Sequence, residues 1–334
     1  MIDQIIRDKI AAASAIGITS HIRPDGDAVG STLGLGLALM NAGKKVEMVL
    51  KDGVSPTFRH LTGSNLVKCS FESELDLMIV ADSSDLLRTG GVLGDRTPDI
   101  NIDHHITNEN FAATNLVEPG SVATSAVLAK HLLSWGLTIT PDVAKALLTG
   151  ILSDSIGFRT SNTTSESLRL AAGLMDIGAD ITELYNKALI SRSYEATKYW
   201  GNGLSRMQRD EGLVWTSLTL EDRKASGYFG NDDADLTNIL SSINTMEISV
   251  LFIEQTPNNT KVSWRSIGDL DISELAHQLG GGGHPNAAGV ELIGTLAEVE
   301  QKVLKITQEH LKQIKSYAIN NSGEEKEPGQ PHGV

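Results

Sequence analysis

Residues 16–41 are IGITSHIRPDGDAVGSTLGLGLALMN, and three patterns follow one another in them. The short apolar run 16–20 predicts a strand, and residues 21–27 predict a loop because they contain proline and glycine. Residues 27–41 predict a helix, since apolar side chains recur on one face and Gly43 provides a C-terminal stop. A strand, a loop and a helix in this order are typical of the α/β fold class.

The same alternation continues through the first half of the chain. Further strands are predicted at 46–50, 75–81 and 100–103, and further helices at 121–135, 141–154 and 165–177. Strands that alternate with helices form a doubly wound, mostly parallel sheet, and such sheets bind ligands at the carboxyl ends of their strands. We therefore predict an α/β N-terminal domain with a functional site at that edge.

After residue 205 the pattern changes to strands at 213–220, 247–255 and 261–266, with helical segments around them. This pattern predicts a smaller C-terminal α/β domain. The predicted organisation is a catalytic metal-binding domain over 1–185, a helical connector over 186–205, a substrate-binding domain over 206–318 and a disordered tail over 319–334. The active site is expected in the cleft between the two domains.

The composition is that of a soluble globular protein, with 40% hydrophobic and 21% charged residues. The formal net charge of −14 and the aromatic content of 4% argue against binding of long nucleic acids, which need basic faces or stacking platforms. They do not exclude a short phosphate ligand, because metal ions supply positive charge locally. No stretch is apolar enough to span a membrane and no secretory signal is visible, so a cytoplasmic location is expected.

Carboxylates and histidines follow several of the predicted strands and helices. They are His21, Asp25 and Asp27 after the first strand, Asp82 after the third, Asp103-His104-His105 at the end of the fourth, and Asp154 at a helix end. Because the carboxyl ends of parallel strands share one edge, these groups are predicted to form a metal site. Their number favours two adjacent divalent cations, which hydrolyse phosphate esters in many enzymes. Histidine and carboxylate ligands together suit manganese.

Each group also has a simpler structural interpretation. Asp27 could cap the helix that it begins, and Asp82 could cap the turn that follows it. His104 and His105 could be histidines with satisfied hydrogen bonds at a strand end. Asp154 at a helix C-terminus opposes the helix dipole, and this unfavourable position favours a nearby cation.

The C-terminal domain contains a run of four glycines that is followed directly by a histidine. The bare backbone N–H groups of such a run can approach an anion closely, and the imidazole could donate to a phosphate oxygen. Two arginines could bind a phosphate as well. The alternatives are a flexible loop for the glycines and a solvated strand-end charge for Arg265. The candidate substrate-binding residues are Gly281, Gly282, Gly283, His284, Arg265 and Arg159.

The order of these motifs resembles the DHH phosphoesterase family. The motifs are His21-x-x-Pro-Asp25-x-Asp27, Asp82, Asp103-His104-His105, Asp154 and Gly-Gly-Gly-Gly-His284, and the resemblance covers residues 1–318. It includes the family's DHH domain and its C-terminal DHH-associated domain. The length of the chain and the stretch 154–164 are similar to the standalone branch that hydrolyses nanoRNA and 3′-phosphoadenosine 5′-phosphate (pAp).

The resemblance implies two divalent cations, with manganese favoured over magnesium or cobalt. One cation would be held by His21 and Asp25, the other by Asp27, His104 and Asp154, and Asp82 would bridge the two. Asp103 would orient His104, and His105 would contact the scissile phosphate and stabilise its developing charge. Arg265, His284 and the glycine run would hold the substrate, with Arg159 as a weaker candidate.

The implied activity is hydrolysis of short RNA oligonucleotides to mononucleotides and of pAp to AMP. A phosphodiesterase for cyclic or linear signalling dinucleotides, such as c-di-AMP, pApA or pGpG, is the alternative because it would use the same active site. A nucleotide-binding sensor without turnover is a third interpretation. Many proteins of this shape pair, so a homodimer is also expected, although no motif requires one.

Overall fold

The computed structural model describes residues 2–268 and 270–322, apart from the side chains of residues 284 and 316–322. The chain divides into two compact units, Met1–Ser191 and Arg192–Val334. The predicted connector spans this division, because the π-helical turn Asn186–Ile190 ends the first unit and the helix Tyr194–Ser205 belongs to the second. The predicted cleft between the domains stays a prediction.

The first unit is built on a parallel sheet. Its strands are β1 (Ala15–Thr19), β2 (Lys45–Val49), β3 (Leu77–Ala81), β4 (Ile100–Asp103) and β5 (Thr114–Val117). Its helices are α1 (Ile2–Ala12), α2 (Gly26–Asn41), α3 (Thr124–His131), α4 (Pro141–Asp154), α5 (Ser165–Ile177) and α6 (Ile181–Tyr185). The strand order is β2-β1-β3-β4-β5 and every pairing is parallel, which confirms the predicted α/β fold.

This strand order creates a switch point between β1 and β3, where chain connections leave the sheet in opposite directions. Ligands of doubly wound sheets bind in the crevice at such a point, outside the carboxyl ends of the strands. The strand β5 was not predicted, because two of its four residues, TNLV, are polar and only Leu116 is buried.

The core of the first unit lies where the strands and the helices meet. All five residues of β3 are buried, as expected for a strand that is covered on both faces. On one face, Met78 and Val80 pack against connecting segments instead of helices, and the contributing residues are Phe71, Leu75, Val92, Leu93 and Phe111. The helix α2 is buried around almost its whole circumference from Gly26 to Gly36, whereas Met40 near its C-terminal end is 39% exposed.

Glycines let α2 and α4 approach each other closely. A Cβ atom on Gly30 would lie 2.5 Å from the carbonyl oxygen of Ala146, and one on Gly150 would lie 2.7 Å from Asp27 Oδ1. Larger side chains at these positions would push the helices apart. The close contact places the first turn of α2 beside the last turn of α4, and both turns carry predicted metal ligands.

The second unit contains a mixed sheet with the strand order β10-β11-β9-β8-β7-β6. Its strands are β6 (Gln208–Asp210), β7 (Leu213–Leu218), β8 (Ile248–Thr256), β9 (Asn259–Ser266), β10 (Gly282–His284) and β11 (Ala287–Ile293). Its helices are α7 (Tyr194–Ser205), α8 (Leu220–Ser226), α9 (Leu236–Leu240), α10 (Ser273–Gln278) and α11 (Leu296–Ser322). Among these described strands, only the β7–β8 pair is parallel. The fully buried Trp264 lies in the core of this unit.

The predicted second α/β domain is therefore confirmed. The helix α11 extends to Ser322, so residues 319–322 of the predicted tail are helical, and residues 323–334 lie outside the described residues. Within the described ranges, no helix combines the length and apolar character that crossing a bilayer requires.

Candidate metal centre

Neighbouring strands bring the predicted ligands of the first unit to one edge of its sheet. His21 follows β1, Asp82 follows β3 and Asp103 ends β4, and these strands are adjacent in the sheet. Asp27 lies in the first turn of α2 and Asp154 ends α4. The predicted ligands therefore surround the carboxyl edge at the switch point.

One ligand group is formed by His21, Asp25 and Asp82, whose ligand atoms all lie within 4.8 Å of one another. His21 Nε2 is 3.4 Å from Asp82 Oδ2 and 3.8 Å from Asp25 Oδ2. The other ring nitrogen, Nδ1, lies 2.8 Å from the carbonyl oxygen of Ile22 and donates to it. That hydrogen bond turns Nε2 toward the carboxylates, an orientation that is usual for a histidine that binds metal.

A second ligand group is formed by Asp27, His104 and Asp154 within the same distance limit. His104 Nε2 is 3.3 Å from Asp154 Oδ2 and 3.9 Å from Asp82 Oδ1. Its Nδ1 donates to the carbonyl oxygen of Ser121 at 3.2 Å. As in His21, this hydrogen bond leaves Nε2 directed toward the carboxylates.

Asp82 lies between the two groups, because Oδ2 faces His21 and Oδ1 faces His104. The residue is 2% exposed and its backbone adopts a left-handed φ of 59°. This conformation is unfavourable for a residue with a Cβ, and such strain concentrates at functional sites. The predicted alternative, a cap for the following turn, does not explain a carboxylate that points to two histidines.

The N-terminus of α3 holds two of the carboxylates. The backbone N–H groups of Thr124 and Ser125 donate to Asp27 at 2.6 and 2.9 Å, and Thr124 Oγ1 donates to Asp82 Oδ1 at 3.0 Å. Donors at a helix N-terminus favour negative charge. Thr124 and Ser125 were not among the predicted site residues, although two hydroxyl residues at a helix start are a recognisable signal in the sequence.

The cap of α2 is Asp25 instead of Asp27. Asp25 Oδ1 accepts from the N–H groups of Asp27 and Ala28 at 2.9 and 3.0 Å, so the alternative interpretation of Asp27 as the cap is wrong. The capping bond uses one oxygen of Asp25 and leaves Oδ2 toward His21. The cap therefore also orients a ligand.

The implied role of Asp103 requires a correction. Its Oδ1 accepts from Nδ1 of His105 at 2.7 Å, whereas His104 is held by Ser121, so Asp103 orients His105 and not His104. The physical reason is the alternation of an extended chain, in which residues two apart point to the same side. A third group that could hold an ion is formed by Asp82, His104 and His105.

Burial and mutual interaction shift the pKa values of these groups. Burial lowers the pKa of His21, but the hydrogen bond and charge of Asp82 raise it to about 9. Burial also lowers the pKa of His104, while the charges of Asp154 and Asp82 raise it to about 9. Burial and the charge of Asp82 raise the pKa of Asp27 to about 7.

The pKa values of two other carboxylates, Asp154 and Asp82, shift in opposite directions. Burial and the charge of Asp27 raise the pKa of Asp154 well above its ordinary value. Burial raises the pKa of Asp82, but the hydrogen bond and charge of His21 outweigh it and lower the pKa below the usual range. Without a cation, the histidines supply the positive charge that this group of carboxylates requires.

Metal loading is expected to release protons and to strengthen as the pH rises. With pKa values of about 9, His21 and His104 are protonated at neutral pH in the metal-free protein, and a metal ion binds only the neutral imidazole. Loading both groups at pH 7 should therefore release about two protons from the histidines.

Calorimetric titration with MnCl₂ in two buffers of different ionisation enthalpy would measure this release. The apparent affinity should rise steadily from pH 6 to pH 9. An affinity that does not change over this range would contradict the assignment of the two histidines as ligands.

In the second unit, Arg265 is half-buried and lies in β9. Burial lowers the pKa of its guanidinium, while the nearby charges of Asp233 and Asp235 raise it. Its Nη1 donates to the carbonyl oxygen of Trp264 at 2.9 Å. Its partial burial differs from the predicted alternative of a solvated strand-end charge, and its role in binding stays a prediction.

The glycine run is partly a paired strand. Gly282–His284 form β10 and pair with β11, so this part is not a flexible loop. Gly280 and Gly283 adopt φ values of 86° and 148°, which favour glycine. The side chain of His284 lies outside the described residues, and Arg159 is exposed in the turn after α4. Within the described chain, no hydrogen bond or ion pair joins Arg159 to the metal ligands.

These features define a class of protein: an α/β protein with a carboxylate–histidine centre, suited to two cations, at the switch point of a parallel sheet. The family models match accordingly. The DHH family N-terminal domain matches residues 15–151, and the DHHA1 domain matches residues 226–315. The chain belongs to the DHH family, which confirms the resemblance predicted from its motifs.

Relatives of known name extend over nearly the whole chain. It is 33% identical to the bifunctional oligoribonuclease and PAP phosphatase NrnA of Thermus thermophilus, over 90% of this chain and 91% of the relative. The protein of the same name from Bacillus subtilis is 25% identical over 85% and 91% of the two chains. A crystal structure of an exopolyphosphatase-related protein from Bacteroides fragilis is similar with a TM-score of 0.86, 26% identity and coverage of 95% and 97%.

Proposed function

We propose that this protein is a two-metal phosphoesterase that hydrolyses short RNA oligonucleotides to mononucleotides and pAp to AMP. The observation that carries the proposal is the position of Asp82, whose two oxygens face two separate groups of metal-ligating side chains. Relatives named as oligoribonucleases and PAP phosphatases, with 25 to 33% identity over most of the chain, support the substrate assignment.

The residues present suit two divalent cations. Each group combines one imidazole with carboxylates, a donor set that suits manganese and also accepts magnesium or cobalt. The raised pKa values of Asp27 and Asp154 indicate that too little positive charge lies near these carboxylates to stabilise their ionised form. His21 and Asp25 would hold one ion, Asp27, His104 and Asp154 the other, and Asp82 both. Two bound cations would acidify a water molecule and neutralise the phosphate oxygens.

The protein's own side chains would position the phosphate. The hydrogen bond from His105 Nδ1 to Asp103 fixes the imidazole of His105 in one orientation beside Asp82. From there His105 would donate to an oxygen of the scissile phosphate and stabilise the charge that develops on it. Thr124 and Ser125 would keep Asp27 and Asp82 in place while the phosphate binds.

The second domain, residues 206–318, would hold the rest of the substrate. Arg265 and His284 would bind phosphate through charge-assisted hydrogen bonds, and Gly281–Gly283 would contribute backbone N–H groups. Arg159 is a weaker candidate for the same work. Binding in this domain would favour a ligand of limited length over long nucleic acid.

Replacing Arg265 by alanine is expected to raise KM for pAp about 10–100-fold and to leave kcat nearly unchanged, because a charge-assisted hydrogen bond contributes to binding and not to the reaction itself. Steady-state kinetics would measure the effect, and Arg209, an exposed arginine of the edge strand β6, is the matched control. A fall in kcat with unchanged KM would contradict a binding role for Arg265.

The remaining proposals concern the location of the protein in the cell and its oligomeric state. A cytoplasmic location without membrane association agrees with substrates that arise from RNA turnover. A homodimer is proposed as the assembly, and light scattering with size-exclusion chromatography would test it.

A phosphodiesterase of signalling dinucleotides is the second candidate. The cyclic-di-AMP phosphodiesterase PdeA of Listeria monocytogenes is 24% identical over 91% of this chain, although the match covers 49% of that protein. The same metal ligands would serve either substrate. A nucleotide sensor without turnover is less favoured, because the two ligand groups contain every predicted metal ligand.

A substrate panel with manganese would test the proposed function. The panel contains pAp, a 5′-phosphorylated dinucleotide, a 24-nucleotide RNA, a cyclic dinucleotide and pyrophosphate, with His104→Ala as the inactive control. Rapid hydrolysis of pAp and the dinucleotide, with the long RNA spared, is expected. Preference for the cyclic dinucleotide would favour the second candidate, and no turnover of any compound would favour a sensor.

A further inference from the structure

A chain of buried and partly buried polar side chains connects Asn108, on the β4–β5 connection, to His105. Asp103 at the end of β4 is fully buried, and its two oxygens have different partners. Oδ1 accepts from His105 Nδ1 at 2.7 Å, and Oδ2 accepts from Asn108 Nδ2 at 2.6 Å. A buried carboxylate requires such partners, because an unpaired one is costly.

The amide of Asn108 is itself held in one orientation. Its Oδ1 accepts from the backbone N–H of Asn110 at 2.7 Å, which identifies that atom as the oxygen and directs Nδ2 toward Asp103. The same Nδ2 lies 2.8 Å from Asn101 Oδ1 and 3.2 Å from the carbonyl oxygen of Ser83. Asn108 therefore connects the end of β4 to the residue that follows Asp82.

These hydrogen bonds join β4 and Asn108 to Ser83, which is close in space but distant in sequence. Asn101 is fully buried on the same strand as Asp103, and its Nδ2 lies 3.3 Å from the carbonyl oxygen of Ser83. These amides therefore tie together the two strand ends that carry Asp82 and His105. A shift of the Asn108 amide would release Asp103 and allow the imidazole of His105 to rotate.

We propose that Asn108 is a positioning residue for the hydrolysis: its amide holds Asp103, and Asp103 holds His105 in the orientation that meets the scissile phosphate. The inference rests on the proposed function and adds a residue that contacts neither ligand group. Partners that orient active-site histidines typically change activity about 10–100-fold when they are removed.

Asn108→Ala tests the proposal, with Asn115→Ala as the matched control. Asn115 lies in β5, directly after the same connection, but its amide donates to the carbonyl oxygens of Asn110 and Ala112 and not to Asp103. Asn108→Ala should lower kcat for pAp about 10–100-fold with KM and manganese stoichiometry unchanged, whereas Asn115→Ala should retain kcat. Asn108→Ser provides the same comparison if the alanine variant does not fold.

A double-mutant cycle with His105→Ala separates positioning from general loop stability. If Asn108 acts through His105, adding Asn108→Ala to His105→Ala should leave kcat at the level of His105→Ala alone. Multiplicative losses in kcat, or loss of bound manganese in Asn108→Ala, would overturn the proposal.

A spectroscopic readout does not depend on turnover. In the metal-free protein, the Nδ1–H signal of His105, assigned by its absence in His105→Ala, should be protected from exchange and should become exchangeable in Asn108→Ala. An unprotected signal in the unmodified protein, or protection that survives the substitution, would overturn the inference. Inactivity of the unmodified enzyme on the whole panel would instead contradict the proposed function.

Discussion

Asp82→Asn is expected to reduce manganese binding from two ions to one or none and to lower kcat by about 10³-fold or more, since a two-metal site contributes several kcal/mol to the reaction. The two oxygens of Asp82 lie 3.4 Å from His21 Nε2 and 3.9 Å from His104 Nε2, so removing its charge weakens both groups at once. Asparagine preserves the shape of the side chain and tolerates the left-handed φ of 59°, so the fold should persist.

Calorimetric titration of MnCl₂ and pAp hydrolysis would measure the two effects on the same sample. Asp85→Asn is the matched control, because Asp85 lies on the same connection but its Oδ1 accepts from the backbone N–H of Arg88. Retention of two manganese ions by Asp82→Asn would show that Asp82 does not bridge the two groups.

His105→Ala is expected to retain both manganese ions and to lower kcat about 10²–10³-fold, the usual effect of removing a group that stabilises developing charge. The reason is that Nδ1 of His105 donates to Asp103 at 2.7 Å and lies farther, at 3.8 Å, from Asp82 Oδ1. In His21 and His104 the nitrogen that faces Asp82 is the free Nε2, whereas in His105 it is Nδ1, which already donates to Asp103. We therefore expect the imidazole of His105 to donate to substrate instead of binding metal.

Titration of metal and steady-state kinetics would separate these roles. His60→Ala is the control, because His60 is an exposed histidine whose Nδ1 lies 2.9 Å from the carbonyl oxygen of Thr57. Loss of manganese from His105→Ala would make His105 a ligand, as its proximity to Asp82 and His104 permits.

The amino-acid sequence was sufficient for the fold class of both units. Alternation of apolar strands with helical segments predicted the parallel sheet, and the observed bounds of α4 and α5 equal the predicted ranges 141–154 and 165–177. These patterns succeed because burial of apolar side chains determines both periodicities. The strand β5 was missed because its four residues, two of them polar, are too few to show either periodicity.

The residue types of the metal centre could also be predicted. Clustered carboxylates and histidines at strand ends have few structural explanations, and the order of the motifs resembles one family. The sequence could not show which partner each residue contacts. The resemblance assigned Asp103 to His104, whereas the structure pairs it with His105.

The sequence by itself therefore determined the fold class, the family and the side chains that can hold metal, because these follow from composition, periodicity and motif order. Only the tertiary structure decided the contacts among them. The close approach of α2 to α4, the donors at the start of α3 and the amide of Asn108 each join residues that are distant along the chain. Hydrogen bonds and packing between distant segments depend on three-dimensional proximity, which no local pattern of residues specifies.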